Sequence, residues 1–145
     1  MYRHLLIATD GSQLAQKAVA QGLALAKELK ATVTVVTVTE PLMSMFAGEG
    51  AIALPIEDYE SAARASAEEI LGRVSLASKQ SGVPCETVHV KEQHPAEGIV
   101  ETAQAIKCDL IVMASHGRRG LAKLFLGSQA TRVLSLSPVP VLICK

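Results

Sequence analysis

Apolar and polar positions in this chain follow two periods in turn. Leu5 to Thr9 is a continuous apolar run, which reads as a strand covered on both faces. Asp10-Gly11-Ser12 supplies the turn, with Ser12 placed to cap the next helix. In that helix Leu14, Ala18, Gly22, Leu25 and Leu29 recur at helical spacing. Ala31 to Thr39 is dense in Val and Thr and predicts a second strand, because β-branched side chains suit a pleated, packed surface. A long helix is expected from Ile56 to Ser81, with Ile56, Tyr59, Ala63, Ala67, Ile70, Val74 and Ala77 on one face. Gly82 and Pro84 close it. Cys85 to Val90 mixes polar and apolar residues, as an edge strand does. His94-Pro95 opens a third helix with Ala96, Ile99, Val100, Ala103 and Ile106 facing inward. Asp109 to Ala114 reads as a short buried strand, residues 128–136 as a helix, and Pro138 to Cys144 as a final strand.

This alternation predicts a single α/β domain over residues 1–145, with a parallel sheet, right-handed crossovers and helices on both faces. Pro41 to Pro55 fits neither period. A lid over a site and a long insert are both compatible with it. Met43, Met45 and Phe46 in that stretch could cover a base or simply fill gaps.

Composition narrows the function classes. The 145 residues are 49% hydrophobic, which excludes a disordered chain. Lys+Arg and Asp+Glu both number 14. A chain with that balance is not expected to bind nucleic acid or an anionic membrane through general electrostatics. No apolar stretch reaches the length of a membrane span, and the run before Asp10 is shorter than expected of a signal peptide. Cys85, Cys108 and Cys144 stand far apart in apolar surroundings, so reduced thiols and a cytoplasmic location are expected.

The charge balance conceals a division. Residues 1–109 carry 9 basic and 14 acidic side chains, whereas residues 110–145 carry no acidic one. The basic residues of that last quarter are Arg118, Arg119, Lys123, Arg132 and Lys145. Ligands of open parallel sheets sit beyond the carboxyl ends of the strands. Here those ends are Asp10-Gly11-Ser12, Val38-Thr39-Glu40 and Ala114-Ser115-His116-Gly117, followed by Gly127-Ser128 at a helix start. Glycines let backbone N–H groups approach an anion, and a helix start adds unpaired donors.

These residues carry a family resemblance over essentially the whole chain. The opening strand into Ala8-Thr9-Asp10-Gly11-Ser12, the strand ending Val36-Thr37-Val38, the run Asp109 to Gly117, Leu126-Gly127-Ser128 and Pro140-Val141-Leu142-Ile143 resemble the universal stress protein family. The ATP-binding branch of that family has a loop of Gly, two residues, Gly, nine residues, then Gly-Ser or Gly-Thr. Here Gly117, Arg118 to Leu126 and Gly127-Ser128 match it, while Ala114 replaces the first Gly.

The resemblance implies an open five-stranded, Rossmann-like sheet in the order 3-2-1-4-5. It also implies a split site, in which Asp10 meets the ribose hydroxyls, Val38 the adenine, and Gly117, Gly127 and Ser128 the phosphates. Arg118 could neutralise phosphate or solvate the loop; Ser12 and Asp10 also suit capping of the first helix turn; His116 suits phosphate contact, loop ordering or simple exposure to solvent. His4, His89 and His94 lack metal-ligand spacing, so no metal centre is expected. The chain has no P-loop lysine, nucleophile elbow or carboxylate pair, so ATP hydrolysis is expected to be slow at most. The expected ligand is ATP, with or without Mg²⁺, acting by occupancy, with its binding ordering the two long loops. A homodimer through Val139 to Ile143 is expected from the apolar edge strand and from the resemblance. The rival reading, favoured by Ala114, is a dimeric interaction module that binds no nucleotide.

Overall fold

A computed structural model of the chain describes residues 1–45, 55–118 and 125–145. The strands are β1 (His4–Ala8), β2 (Thr32–Val38), β3 (Cys85–Val90), β4 (Leu110–Ala114) and β5 (Val141–Cys144). They form one five-stranded sheet in the order β3-β2-β1-β4-β5, and every neighbouring pair is parallel. Leu5 pairs with Val33 on one side and with Leu110 on the other. The expected sheet order and the edge position of β3 are both found.

The continuous apolar runs are explained by what covers the sheet. Leu5, Leu6 and Ile7 are all 0% exposed. Successive side chains of a strand point to opposite faces, and the core divides accordingly. On one face Leu5, Ile7, Val33, Val35, Leu110 and Val112 meet α1 (Gln13–Leu29) and α3 (Ile56–Ser81). On the other, Leu6, Ala8, Val36, Ile111 and Met113 meet α4 (Pro95–Ala105) and α5 (Ser128–Leu136). Burying each such Leu, Ile or Val contributes roughly 1.5–3 kcal/mol, so both layers are strongly held.

Local chemistry sets the helix ends. Ser12 caps α1, its hydroxyl accepting the N–H of Ala15 at 3.2 Å. Gly82 ends α3 in the left-handed region with φ of 71°, a conformation that costs glycine nothing. Pro95 stands at the start of α4 as expected.

Several expectations are shifted. The buried stripe of α1 is Ala15, Ala18, Val19, Gly22, Leu23 and Ala26, while Leu14 and Leu25 sit at its rim and Leu29 is exposed. Small residues let this helix approach the sheet closely, and the larger leucines border that contact. In α3 the buried face starts at Ala67, and Ile56 is exposed. A helix of 26 residues is about 39 Å long, roughly twice the length of a six-residue strand, so its first turns overhang the sheet. β5 begins at Val141, three residues later than expected from Pro138, because a proline lacks the N–H that a ladder needs. Within Pro41 to Pro55, α2 (Leu42–Met45) is a single helical turn; residues 46–54, Phe46 among them, lie outside the described residues.

Candidate functional site

The order of the sheet reverses between β1 and β4, since the chain moves outward from β1 through β2 to β3 and then crosses back to β4. Such a reversal opens a crevice at the carboxyl ends of the two strands. Asp10 follows β1 and stands in this crevice, half-buried. One carboxylate oxygen, Oδ1, accepts the N–H of Ser12 at 2.9 Å. The other, Oδ2, reaches across to accept the N–H of Arg118 at 2.8 Å. The capping contact and the cross-loop contact therefore coexist on one side chain.

Gly117 makes that crossing possible. A Cβ placed there would stand 2.3 Å from Asp10 Oδ2, so only glycine allows the two loops to meet. Gly11 has φ of 78°, and the Arg118 guanidinium lies close above it. Thr9 supports the turn by accepting the Gly11 N–H at 3.2 Å.

Beyond the loop, Gly127 is the N-cap of α5 and Ser128 its first residue. The Gly127 N–H donates to the Ser115 carbonyl at 2.7 Å. No side chain among the described residues caps this helix, and Ser128 is exposed. A helix start in that condition presents N–H groups and a positive dipole end to an anion. Ser115, which composition and spacing alone did not single out, is the buried post behind the loop. It is 4% exposed, its carbonyl holds Gly127, and its hydroxyl pairs with His116 Nδ1 at 3.1 Å. His116 is half-buried and packs against Gly127.

Val38, at the end of β2, is half-buried on the α4 side of the sheet and packs over Gly98. Ala114 is the last residue of β4. It is buried, with its methyl in the core beneath α1, paired along the ladder with Cys144. Ser12 has its hydroxyl engaged by the α1 cap. Of the eight residues singled out, Ser12 and Arg118 both donate backbone N–H groups to Asp10 beside Gly117, Gly127 and Ser128 connect to them through Ser115, Val38 flanks the group, and Ala114 lies in the core.

The described cations of the last quarter, Arg118, Arg132 and Lys145, stand at separate places. Arg118 is exposed on the loop, and Arg119 and Lys123 lie outside the described residues. Arg132 is paired with Glu97 of α4, which holds the Glu97 carboxyl below its usual range and raises the guanidinium above its own. Lys145 lines a cavity of about 490 Å³ on the α1 side, with Leu14, Lys17, Ser115, His116 and Phe125. Spacing along the chain could not show that these cations point to different places.

Histidines at the sheet are engaged by threonines: His4 Nε2 with Thr34 Oγ1 at 2.8 Å and His89 Nε2 with Thr39 Oγ1 at 2.7 Å. Among the described residues no group of three or more His, Cys, Asp or Glu is arranged to hold a metal ion. No described helix is long and apolar enough to cross a membrane.

Comparison with known proteins agrees with this architecture. The chain is 35% identical to the universal stress protein MJ0531 of Methanocaldococcus jannaschii, over all of this chain and 83% of that one. Among solved structures, the hypothetical protein MJ0577 has a TM-score of 0.84 at 24% identity, with 100% and 96% of the two chains covered. A universal stress protein in complex with cAMP has a TM-score of 0.70 at 24% identity, over 99% and 97% of the chains. One from Archaeoglobus fulgidus in complex with dAMP has a TM-score of 0.71 at 20% identity, over 99% and 98%. The model of the universal stress protein family matches residues 1–145. With the sheet order, the glycine-spaced loop and this full-length match in agreement, the chain belongs to the universal stress protein family.

Proposed function

We propose that this protein binds an adenine nucleotide in the crevice between Asp10, Val38 and the Gly127–Ser128 helix start, and acts through its occupancy. The observation that carries the reading is the pairing of an acceptor and a donor set across one crevice. Asp10 offers a carboxylate at one side, and the α5 start, without a side-chain cap among the described residues, offers N–H donors at the other. Nucleotides present the complement, with ribose hydroxyls that donate and phosphate oxygens that accept. The cAMP and dAMP complexes of related folds support the same class of ligand.

The residues fit the group. Each Asp10 oxygen accepts one backbone N–H and keeps a lone pair for a hydroxyl. The missing Cβ of Gly117 makes room for the Asp10 carboxylate and that of Gly127 for the Ser115–His116 backbone, so the loop closes tightly around the α5 start, where the exposed Ser128 hydroxyl adds a further donor. Ala114 does not crowd the crevice, since its methyl is in the core. This burial favours the nucleotide reading over a module that binds none.

ATP, with or without Mg²⁺, is the ligand we assign to the site, with AMP-like nucleotides as the simplest competitors. Hydrolysis is slow at most in this reading. The protein works in the cytoplasm as a homodimer paired through residues 139–143, where β5 forms an edge of the sheet and Leu142 is 40% exposed. Titration calorimetry with ATP, AMP and cAMP, each with and without Mg²⁺, tests the ligand. Absence of binding by all three at millimolar concentration refutes it.

A further inference from the structure

We propose that the first turn of α4 is a brace that couples the base side of the site to its phosphate side, with Glu97, Gln129 and Arg132 as positioning residues. The inference rests on the nucleotide reading above and goes beyond it, because none of these side chains is assigned to touch ligand.

Three contacts converge on that turn. Gln129 Oε1, one residue after Ser128, accepts the Ala96 N–H at 3.1 Å. Arg132 donates from Nε to Glu97 Oε1 at 2.6 Å, and also from Nη2 to the same oxygen. Gln129 and Arg132 are three residues apart, so both project from one face of α5. In the same turn, Gly98 receives the Val38 side chain. A Cβ at position 98 would stand 2.9 and 3.0 Å from the two Val38 methyls. Val38 therefore rests on the same helical turn to which the start of α5 is tied.

Helices transmit displacement as rigid rods, so a shift of Gly127–Ser128 toward a phosphate moves α4 and with it the floor beneath Val38. The ion pair itself adds little to stability. Its Arg132 side chain is 59% exposed and its Glu97 side chain 23%, and such pairs are screened by water. Glu97 Oε2, however, is buried with no hydrogen-bond partner among the described residues. Burying that oxygen unpaired is costly, and the Arg132 contact to Oε1 is what fixes the carboxylate at this place. The pair's contribution is thus to position rather than to stabilise. It also takes the Arg132 charge away from direct phosphate binding.

The test compares a whole nucleotide with its parts. Affinities for AMP, adenosine and inorganic pyrophosphate are measured by calorimetry on the full chain and on Arg132→Gln, Glu97→Gln and Gln129→Ala. The brace requires that AMP binding weaken by about tenfold, within the usual range of intersite coupling. Adenosine and pyrophosphate binding should stay within about twofold, a difference too small to register as coupling. Arg132→Lys, which keeps a donor, should recover part of the loss. Equal weakening of AMP and of either fragment overturns the brace, because the residue then touches ligand or distorts one half-site. Unchanged AMP affinity in all three variants also overturns it. Failure of the unsubstituted protein to bind AMP, adenosine or ATP refutes the nucleotide reading itself, and the brace with it.

Discussion

The carboxylate of Asp10 accepts the backbone N–H of Arg118 at 2.8 Å, across 108 positions of sequence. The contact holds the start of the β4–α5 loop against the end of β1. It requires a glycine at position 117, whose missing Cβ leaves room for the carboxylate. Gly117→Ala is expected to break this contact, lowering stability by about 1–2 kcal/mol, as overpacked sites do. Nucleotide affinity should fall at the same time. Urea unfolding and calorimetry on the same preparation check both; a variant with unchanged stability and affinity would show the contact to be incidental.

Ser12 separates capping from binding. Its hydroxyl is engaged by Ala15 N–H, so Ser12→Ala should cost about 1 kcal/mol of stability while nucleotide affinity stays the same. A loss of affinity larger than the loss of stability would place Ser12 against the ligand. Thermal melts and titrations on one variant distinguish the two outcomes.

The cysteines are expected to react in order of exposure. Cys108 and Cys144 are buried and Cys85 is half-buried. Burial pushes all three thiols upward from their ordinary range, about 8.5 for a free cysteine. The raised value keeps each thiol protonated at neutral pH, so a thiol-specific disulfide reagent at pH 7.5 should label Cys85 slowly and the others only after unfolding. Reaction should accelerate as pH rises past the free-cysteine value. Rapid labelling of Cys144 in the native protein would contradict this packing.

Leu142 tests the assembly. It lies on edge strand β5 and is partly exposed. Leu142→Glu places a charge in the proposed β5 pairing and should convert a dimer to monomer in sedimentation velocity, with the unfolding midpoint measured at matched concentration. A variant that sediments as the unsubstituted protein does would move the interface elsewhere.

Much of the fold was legible in the chain because local chemistry marks it. Ser12, Gly82 and Pro95 flag helix ends by properties that need no distant partner. From Leu5 onward β1 is apolar, as is all of β4, because both their faces are covered, and the full run betrays that. The inner face of α1 was less legible, since the choice of Ala15 and Val19 over Leu14 depends on how near the sheet lies. Within the site, Asp10, Gly117 and Gly127 were visible through spacing and resemblance. Ser115 and the pairing of Arg132 with Glu97 were not. Those contacts join segments whose separation in sequence carries no periodic signal. Ala114 shows the reverse: it occupies a position in the loop pattern, yet its methyl belongs to the core.

The sheet also partitions the chain's tolerance to change. Leu5 and Leu23 belong to the α1–α3 layer, Leu6 and Ile99 to the α4–α5 layer, with the strands between them. Substitutions at Leu23 and Ile99, on helices separated by the sheet, should be nearly additive. The contacts joining Val38 to the start of α5 all run through the second layer. The α1–α3 layer can therefore be repacked for a sturdier protein away from Ser12 and Ile70, which hold the Asp10–Gly11 turn at the site.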